Sequence, residues 1–428
     1  MSQPTAKIVL IGAGSAAFTV SLLQDLIAEA DFAGCTVTLV DTNVEALNRM
    51  ADLATHLFAK ANAGITVERT TDRRAALDGA SFVVNAAAID RNRLWQHDFA
   101  VPKKHGIRHT LGENGGPGGL FFTLRTMPLV FDIARDIEDL CPDAQFINLS
   151  NPESRLVLGV SKYTKVKALG LCHGIFLARW FICQILGRPE AEVELTAHGL
   201  NHFQWVKEIR DKTTGEDLYP RLRELEAKHD PSFTPLVRTL FRAFGFWPTC
   251  SDDHTGEYLA YGWEGGEHGF DFAGDEKGRI GFRELIDGVL AGTTPTPEDW
   301  FKHSWGERAV EVMGAILHNR HRFIESGVLI NRGAIPNLPS ELAVEVPLSV
   351  DATGVHPINL GPLPDGCAKL LLQQAGVQQM AVEAAVHASK DLALQALLLD
   401  PVINSTTAAK AILDELWEIN AEYIRPCL

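Results

Sequence analysis

KIVLIGAGSAAF, Lys7 to Phe18, runs from an aliphatic stretch through two glycines into a helix-forming segment. Lys7 to Gly12 has the unbroken apolar character of a strand buried on both faces, and Ala16 to Glu29 has helical periodicity. Between them, Gly12 makes the tight turn, Gly14 lets the backbone approach a pyrophosphate, and Ala17 is small enough for close helix packing. The helix N-terminus then turns free N–H groups and a positive dipole end toward the phosphates. Asp41 follows the strand Thr36 to Val40, where its carboxylate accepts ribose hydroxyls of NAD and disfavours the extra phosphate of NADP. This unit predicts an α/β protein with a Rossmann-like, doubly wound parallel sheet.

Outward from this stretch the alternation continues. Asn43 to Ala63 is helical in period, Ser81 to Ala88 (SFVVNAAA) is strand-like, and Arg125 to Cys141 puts Leu129, Val130, Ile133, Ala134, Ile137 and Leu140 on one face. Gln145 to Leu149 and Val166 to Leu171 supply two further strands, each ending in a polar cluster where open α/β sheets bind ligands. After about residue 190 the pattern changes to a hairpin, Glu192 to His198 and Phe203 to Arg210, which predicts a separate sheet. Helices are expected at Leu218 to Ala227, Thr234 to Phe244, Trp305 to Asn319 and, as one long element, Ala368 to Leu399, with LAVEVPLSV as strand. Pro248 to Asp275 is too polar and irregular for core and suits a lid or a site. The expected division is a cofactor-binding domain over 1–190 and an α+β substrate-binding and oligomerisation lobe over 191–428, the arrangement of lactate and malate dehydrogenases.

Composition narrows the function. A net charge of −15 over 428 residues argues against duplex nucleic acid as a partner, which needs a basic face. No uninterrupted apolar run approaches the ~18 residues of a membrane span, and the N-terminal apolar run is better explained by the glycine turn than by a signal peptide. The 7 cysteines are scattered, odd in number and without a C-x-x-C, as reduced thiols in a cytoplasmic protein would be.

A dinucleotide alone would suggest a plain 2-hydroxy-acid dehydrogenase, but no catalytic His-Asp pair with a substrate arginine follows in the expected order. Instead Cys172 and His173 stand at a strand end, and His202 lies in a turn further on. A thiolate and an imidazole brought together make a divalent-metal site with room for substrate oxygens; the bland alternative is a buried cysteine and a hydrogen-bonded core histidine. Arg155 can pair bidentately with a sugar carboxylate or serve as a structural arginine at a helix start. Phe121 and Phe122 are better read as core than as sugar-stacking rings, and Trp205 and Trp247 suit a sugar pocket or a subunit contact. His254 is read as a structural hydrogen-bonding residue or a neighbour of the metal.

Several motifs together carry a family likeness. GAGSAAF (Gly12–Phe18), GPGG (Gly116–Gly119) leading into LRTMP (Leu124–Pro128), Asn151-Pro152, GLCHG (Gly170–Gly174) and GLNHF (Gly199–Phe203) occur in order, followed by DHTGEY (Asp253–Tyr258), NRGAIPNLP (Asn331–Pro339) and GVHP (Gly354–Pro357). The chain resembles glycoside hydrolase family 4 over nearly its whole length. That resemblance implies an NAD- and Mn²⁺-dependent glycosidase in which C3 is oxidised, C2 deprotonated, the C1 substituent eliminated, water added and the ketone reduced again, outside the paired-carboxylate scheme. It implies Gly12, Gly14, Ser15, Phe18 and Asp41 for the dinucleotide, Cys172 and His202 for the cation, and Arg91, Asn151 and Asn201 for the sugar, with His173 assisting the leaving group. The base falls among Asp252, Asp253, Tyr258 and Tyr261.

Cys172-His173-Gly174-Ile175 looks like the α-glucuronide-cleaving group of that family, while phospho-sugar members tend to carry Asn or Asp after the cysteine. The resemblance therefore implies an α-uronide, either glucuronide or galacturonide. An α-glucosidase or α-galactosidase of the same mechanism is the alternative. A homodimer or homotetramer is expected, with neither nucleic acid nor membrane as partner.

Overall fold

The computed structural model describes residues 5–267, 269–304, 306 and 308–428. β1 (Lys7–Ile11), β2 (Thr36–Val40), β3 (Thr66–Thr70), β4 (Phe82–Asn85), β5 (Gln145–Asn148) and β6 (Lys167–Gly170) form a parallel array in the order β3-β2-β1-β4-β5-β6. That order reverses direction at β1/β4, which is the switch point where dinucleotides bind. β1, β2, β4 and β5 are buried along almost their whole length, as aliphatic strands covered by helices on both faces must be. β3, TVERT, is a polar edge strand with no buried position, so it carries no hydrophobic-run signal.

The expected separate sheet is not formed. β7 (Val193–Leu200) and β8 (Phe203–Asp211) make the anticipated hairpin, followed by β9 (Trp247–Pro248), β10 (Arg322–Ile330), β11 (Ala343–Asp351) and β12 (Gly354–Pro357). β10 pairs antiparallel with β6 and β11 bridges β10 to β7, so one 12-stranded sheet runs through the described chain. The physical reason is the edge of β6, whose backbone groups would otherwise stand unpaired. Gly327 on β10 permits the close fit, because a Cβ there would lie 2.4 Å from Leu348 Cδ1.

Two helices differ from expectation. The segment expected to begin at Arg125 is already helical from Gly116 and runs to Leu140, because Gly118 and Gly119 let its first turn press on residues 112–114; a Cβ on Gly118 would lie 2.1 Å from Gly112 O. The long C-terminal helix is two, Asp365–His387 and Lys390–Leu399, interrupted where Ala388 is left-handed and Ser389 caps the second by accepting from Leu392 N. Trp305, the expected start of a helix, lies outside the described residues; the helix observed is Ala309–His318. The irregular stretch ends in a helix, Phe272–Leu290, that sequence periodicity does not reveal because only Ile286 and Val289 are buried. Phe121 and Phe122 are core, and so are Trp205 and Trp247, which line neither a sugar pocket nor an exposed contact surface. No helix among the described residues is long and apolar enough to cross a membrane.

Several polar groups are also sealed in. His109 lies with Nε2 2.9 Å from Phe99 O, and burial pushes its pKa down to about 4. The unfolded chain, titrating near 6.5, binds a proton between those limits that the folded chain refuses, so this group withdraws stability as pH falls from about 6.5 toward 4. Asp98 and Asp400, pushed up to about 6 by burial, act in the opposite direction, so the test is a difference. The stability of wild type relative to His109→Gln, measured by urea unfolding, should fall as pH drops through this window by up to about 1.4 kcal/mol per pH unit. A constant difference would show that His109 is not held neutral.

Candidate active site

The glycine turn sits at the carboxyl end of β1 against the end of β4. Gly12 has φ +85°, and a Cβ there would lie 2.6 Å from Ala87 N, so only glycine fits. Gly14 N–H donates to Asp41 Oδ2 at 2.7 Å, while Asn43 N–H donates to Asp41 Oδ1 at 2.8 Å. Asp41 therefore fastens the turn as well as lying where a ribose would be met. Ser15 precedes the helix Ala16–Ala28 and its side chain makes no capping bond, and Phe18 is half-buried against the core. A cavity of about 710 Å³ opens here, lined by Gly14, Ser15, Ala16 and Arg49 on one side and by Arg279 and Arg283 on the other. Its position at the glycine turn and at the head of the helix Ala16–Ala28 fits a dinucleotide.

Cys172 follows β6 and His202 occupies the turn between β7 and β8, yet Cys172 Sγ and His202 Nε2 stand 3.2 Å apart. Two ligands about 2.1–2.3 Å from one cation and roughly 90° apart would be spaced in this way. His202 is held well below the usual imidazole pKa by burial, with His254 and His173 adding to the effect, which keeps it in the neutral, ligating form. Burial pushes the Cys172 thiol well above its usual range, and Glu153, Glu345 and Cys250 add to this, while the Gly174 N–H at the head of the helix Gly174–Leu186 works the other way. A divalent cation would offset that concentration of negative charge. His202 Nδ1 is buried without a hydrogen-bond partner among the described residues. The donor set fits a soft to borderline divalent ion.

His254 and Glu257 border the same point: ligand atoms of His202, His254 and Glu257 lie within 4.8 Å of one another. His254 Nδ1 is 3.5 Å from Glu257 Oε2, an ion-pair distance without a directed hydrogen bond. Burial disfavours a charged His254, but Glu257, Asp253 and Glu113 outweigh it and push its pKa up to about 9. Glu257 Oε1 in turn accepts from the backbone N–H groups of Glu113, Asn114 (2.9 Å) and Gly115 (3.5 Å). The loop 113–115 thus hangs on one buried carboxylate.

The remaining candidates separate by what they touch. Asn151, at the cis Asn151–Pro152 bond, is half-buried, and its side chain makes no hydrogen bond among the described residues. His173 is exposed beside Cys172. Arg91 lies over the Trp95 ring at 4.4 Å and donates to Glu113 Oε1 at 3.0 Å. Asn201 is 2% exposed, and its amide is engaged by protein carboxylates, Nδ2 lying 3.2 Å from Glu345 Oε2 and 3.5 Å from Glu153 Oε2. Arg155 is likewise buried, 1% exposed, with Nη1 donating to Thr123 Oγ1 at 3.2 Å. Asp252 is committed to the helix Pro235–Phe244, accepting from Leu236 N (3.1 Å) and Val237 N (2.9 Å). Asp253 has Oδ1 held by the Ser251 hydroxyl and the His254 N–H (2.9 Å), and its charge reaches Cys250 and His254. Tyr258 is buried, stacks on Phe203 and donates to Asn201 O at 3.2 Å, whereas Tyr261 is 40% exposed. Sequence reasoning missed Cys250, Glu153 and Glu345, because nothing local distinguishes them from ordinary strand, helix and loop residues.

Comparison with known proteins gives one answer over the whole chain. Residues 7–188 match the model of the family 4 glycosyl hydrolases and residues 197–403 that of their C-terminal domain. An α-glucosidase of Erwinia rhapontici is 34% identical, covering 95% of this chain and 96% of its own. An α-galactosidase of Bacillus subtilis is 31% identical over 98% of this chain and 99% of its own, and an α-galacturonidase of Thermoanaerobacter italicus 28% over 98% and 97%. Among solved structures, a 6-phospho-α-glucosidase from gut microorganisms in complex with NAD and Mn²⁺ superposes with a TM-score of 0.85 at 21% identity, covering 99% of both chains. It shares the Rossmann-like α/β fold described above.

Because Glu257 anchors both the loop and His254, removing its carboxylate leaves buried backbone donors and a half-buried imidazole without their partner. Glu257→Ala should cost about 3–5 kcal/mol of folding stability. Denaturant unfolding measures it, and a loss below about 1 kcal/mol would mean that the loop is held by other contacts.

Proposed function

The chain belongs to glycosyl hydrolase family 4, and from that premise we propose that it hydrolyses an α-uronide, a glucuronide or galacturonide, with NAD and a divalent cation such as Mn²⁺. The observation that carries the cofactor requirement is the 3.2 Å approach of Cys172 Sγ to His202 Nε2. NAD supplies a hydride acceptor and donor for C3 of the sugar, and the cation supplies positive charge for its C2 and C3 oxygens.

The chain's own residues have the following work. Gly12, Gly14, Ser15, Phe18 and Asp41 hold the dinucleotide, and Cys172 with His202 holds the cation. Asn151 takes a sugar hydroxyl with its unengaged amide, and Arg91, once loosened from Glu113, takes a carboxylate. Asp253 takes the C2 proton on Oδ2, since Oδ1 is already held. The C2–H electrons form a C1=C2 double bond as the C1–O bond breaks with its electrons going to the leaving oxygen, which receives a proton from His173; water then adds its oxygen to C1 and a proton returns to C2. Tyr258 is the second candidate for the base, its hydroxyl already given to Asn201 O.

The uronide preference rests on Cys172-His173-Gly174-Ile175. The identity with the α-glucosidase and α-galactosidase relatives favours a neutral α-hexoside as the second reading. The cofactor lobe is taken as 1–190 and the substrate and oligomer lobe as 191–428. The protein is placed in the cytoplasm as a homodimer or homotetramer with no nucleic-acid or membrane partner. Its cysteines, all buried and unpaired, suit a reducing compartment.

Nitrophenyl α-glucuronide, α-galacturonide, α-glucoside and α-galactoside are to be assayed with NAD⁺, Mn²⁺ and reductant. A uronide should turn over fastest, only with both cofactors, and with solvent deuterium entering at C2. Cys172→Ser should lower kcat/KM by at least about 100-fold. Turnover undiminished after stripping NAD and metal defeats the mechanism; rapid hydrolysis of a neutral hexoside with inert uronides defeats only the choice of sugar.

A further inference from the structure

A buried carboxylate is destabilising relative to a well-packed apolar side chain, so its presence at a strand junction calls for a task. Glu345 lies on β11 where that strand meets Gly199 of β7, and it is 1% exposed. Its Oε1 accepts from Ser326 Oγ of β10 at 2.7 Å and its Oε2 from Asn201 Nδ2 at 3.2 Å. Burial pushes the Glu345 carboxyl up to about 7, against which Ser326 and Asn201 favour its charged form. Gln204 Nε2 donates to the Ser326 hydroxyl at 2.9 Å, which orients that hydroxyl's own proton toward Glu345. Each carboxylate oxygen thus accepts from one donor, and Glu345 stands outside the group of ligand atoms formed by His202, His254 and Glu257.

His202 has φ +74°, a left-handed conformation that a non-glycine residue keeps only where its surroundings over-determine it. Its neighbour Asn201 is held from three sides: at Nδ2 by Glu345, at N–H by Ser154 Oγ (3.4 Å), and at its carbonyl by the Tyr258 hydroxyl (3.2 Å). We infer that Glu345 is a positioning residue whose carboxylate, through Asn201, fixes the turn that aims His202 at Cys172 and so sets the affinity for the cation. This rests on Cys172 and His202 being the cation pair, and it gives Asn201 a supporting task in place of a sugar contact.

The test is Mn²⁺ binding to the full chain, followed by the loss of the free-ion EPR signal, with Mn²⁺ alone as probe. Outer hydrogen-bond partners of metal ligands are commonly worth 10- to 100-fold in affinity, and Glu345→Gln should lose about that much. Glu345→Asp keeps the charge but withdraws its reach, and should also lose at least about 10-fold. Ser326→Ala should lose roughly 3-fold or more. Wild type that binds no Mn²⁺, or Cys172→Ser that binds it equally well, would sink the cation pair itself. Wild-type affinity in both Glu345 variants overturns the inference, and so does weakening by Gln but not by Asp, which would make the effect one of charge alone. If neither Glu345 variant folds, unchanged affinity in Ser326→Ala overturns it.

Discussion

Cys172 and His202 approach to 3.2 Å because β10 and β11 stitch the carboxyl edge of the parallel array to the β7–β8 hairpin. Each residue occupies a turn after a strand, and neither turn encodes the other. The pair exists only if β6 accepts β10, β10 accepts β11, and β11 meets β7 at Gly199. One-residue slippage in such a ladder would turn side chains to the other face, so sheet register governs the geometry of the site.

Charge is arranged with the same economy. Beneath the thiol and the imidazole lie Glu153 and Glu345, and beside them His254 is balanced against Glu257. Acidic groups gathered away from water are individually unfavourable and become tolerable through hydrogen bonds or a compensating cation. Glu257 uses the first route through the 113–115 backbone, and Glu345 does so through Ser326 and Asn201. Cys172 and His202 are suited to the second. On the cofactor side, Asp41 shows the same double use, holding Gly14 and Asn43 while standing at the end of β2.

Much of this was legible beforehand where physics is local. The glycine turn, the aliphatic strands β1, β2, β4 and β5, the hairpin and the choice of Cys172 and His202 as the pair to look for follow from residue type, period and motif order. Other features escaped for identifiable reasons. β3 is polar because it is an edge, the helix Phe272–Leu290 buries too few residues to show a period, and Gly116–Gly119 reads as loop although glycines here allow a helix to press on a neighbouring segment. Asn201 and Arg155 read as ligand-facing by type, and only burial shows that each is turned inward.

By itself the sequence determined the α/β class, the dinucleotide turn and its acidic partner, and the chemical identity of the thiol and imidazole, since these depend on side chains and spacings within a few residues. Tertiary structure alone decided that the second half extends the first sheet, which of Asp252 and Asp253 is spent on a helix cap, and that Glu345 backs the His202 turn. Those outcomes depend on pairings between residues far apart along the chain, where strand-edge satisfaction and burial, rather than local preference, choose among the alternatives.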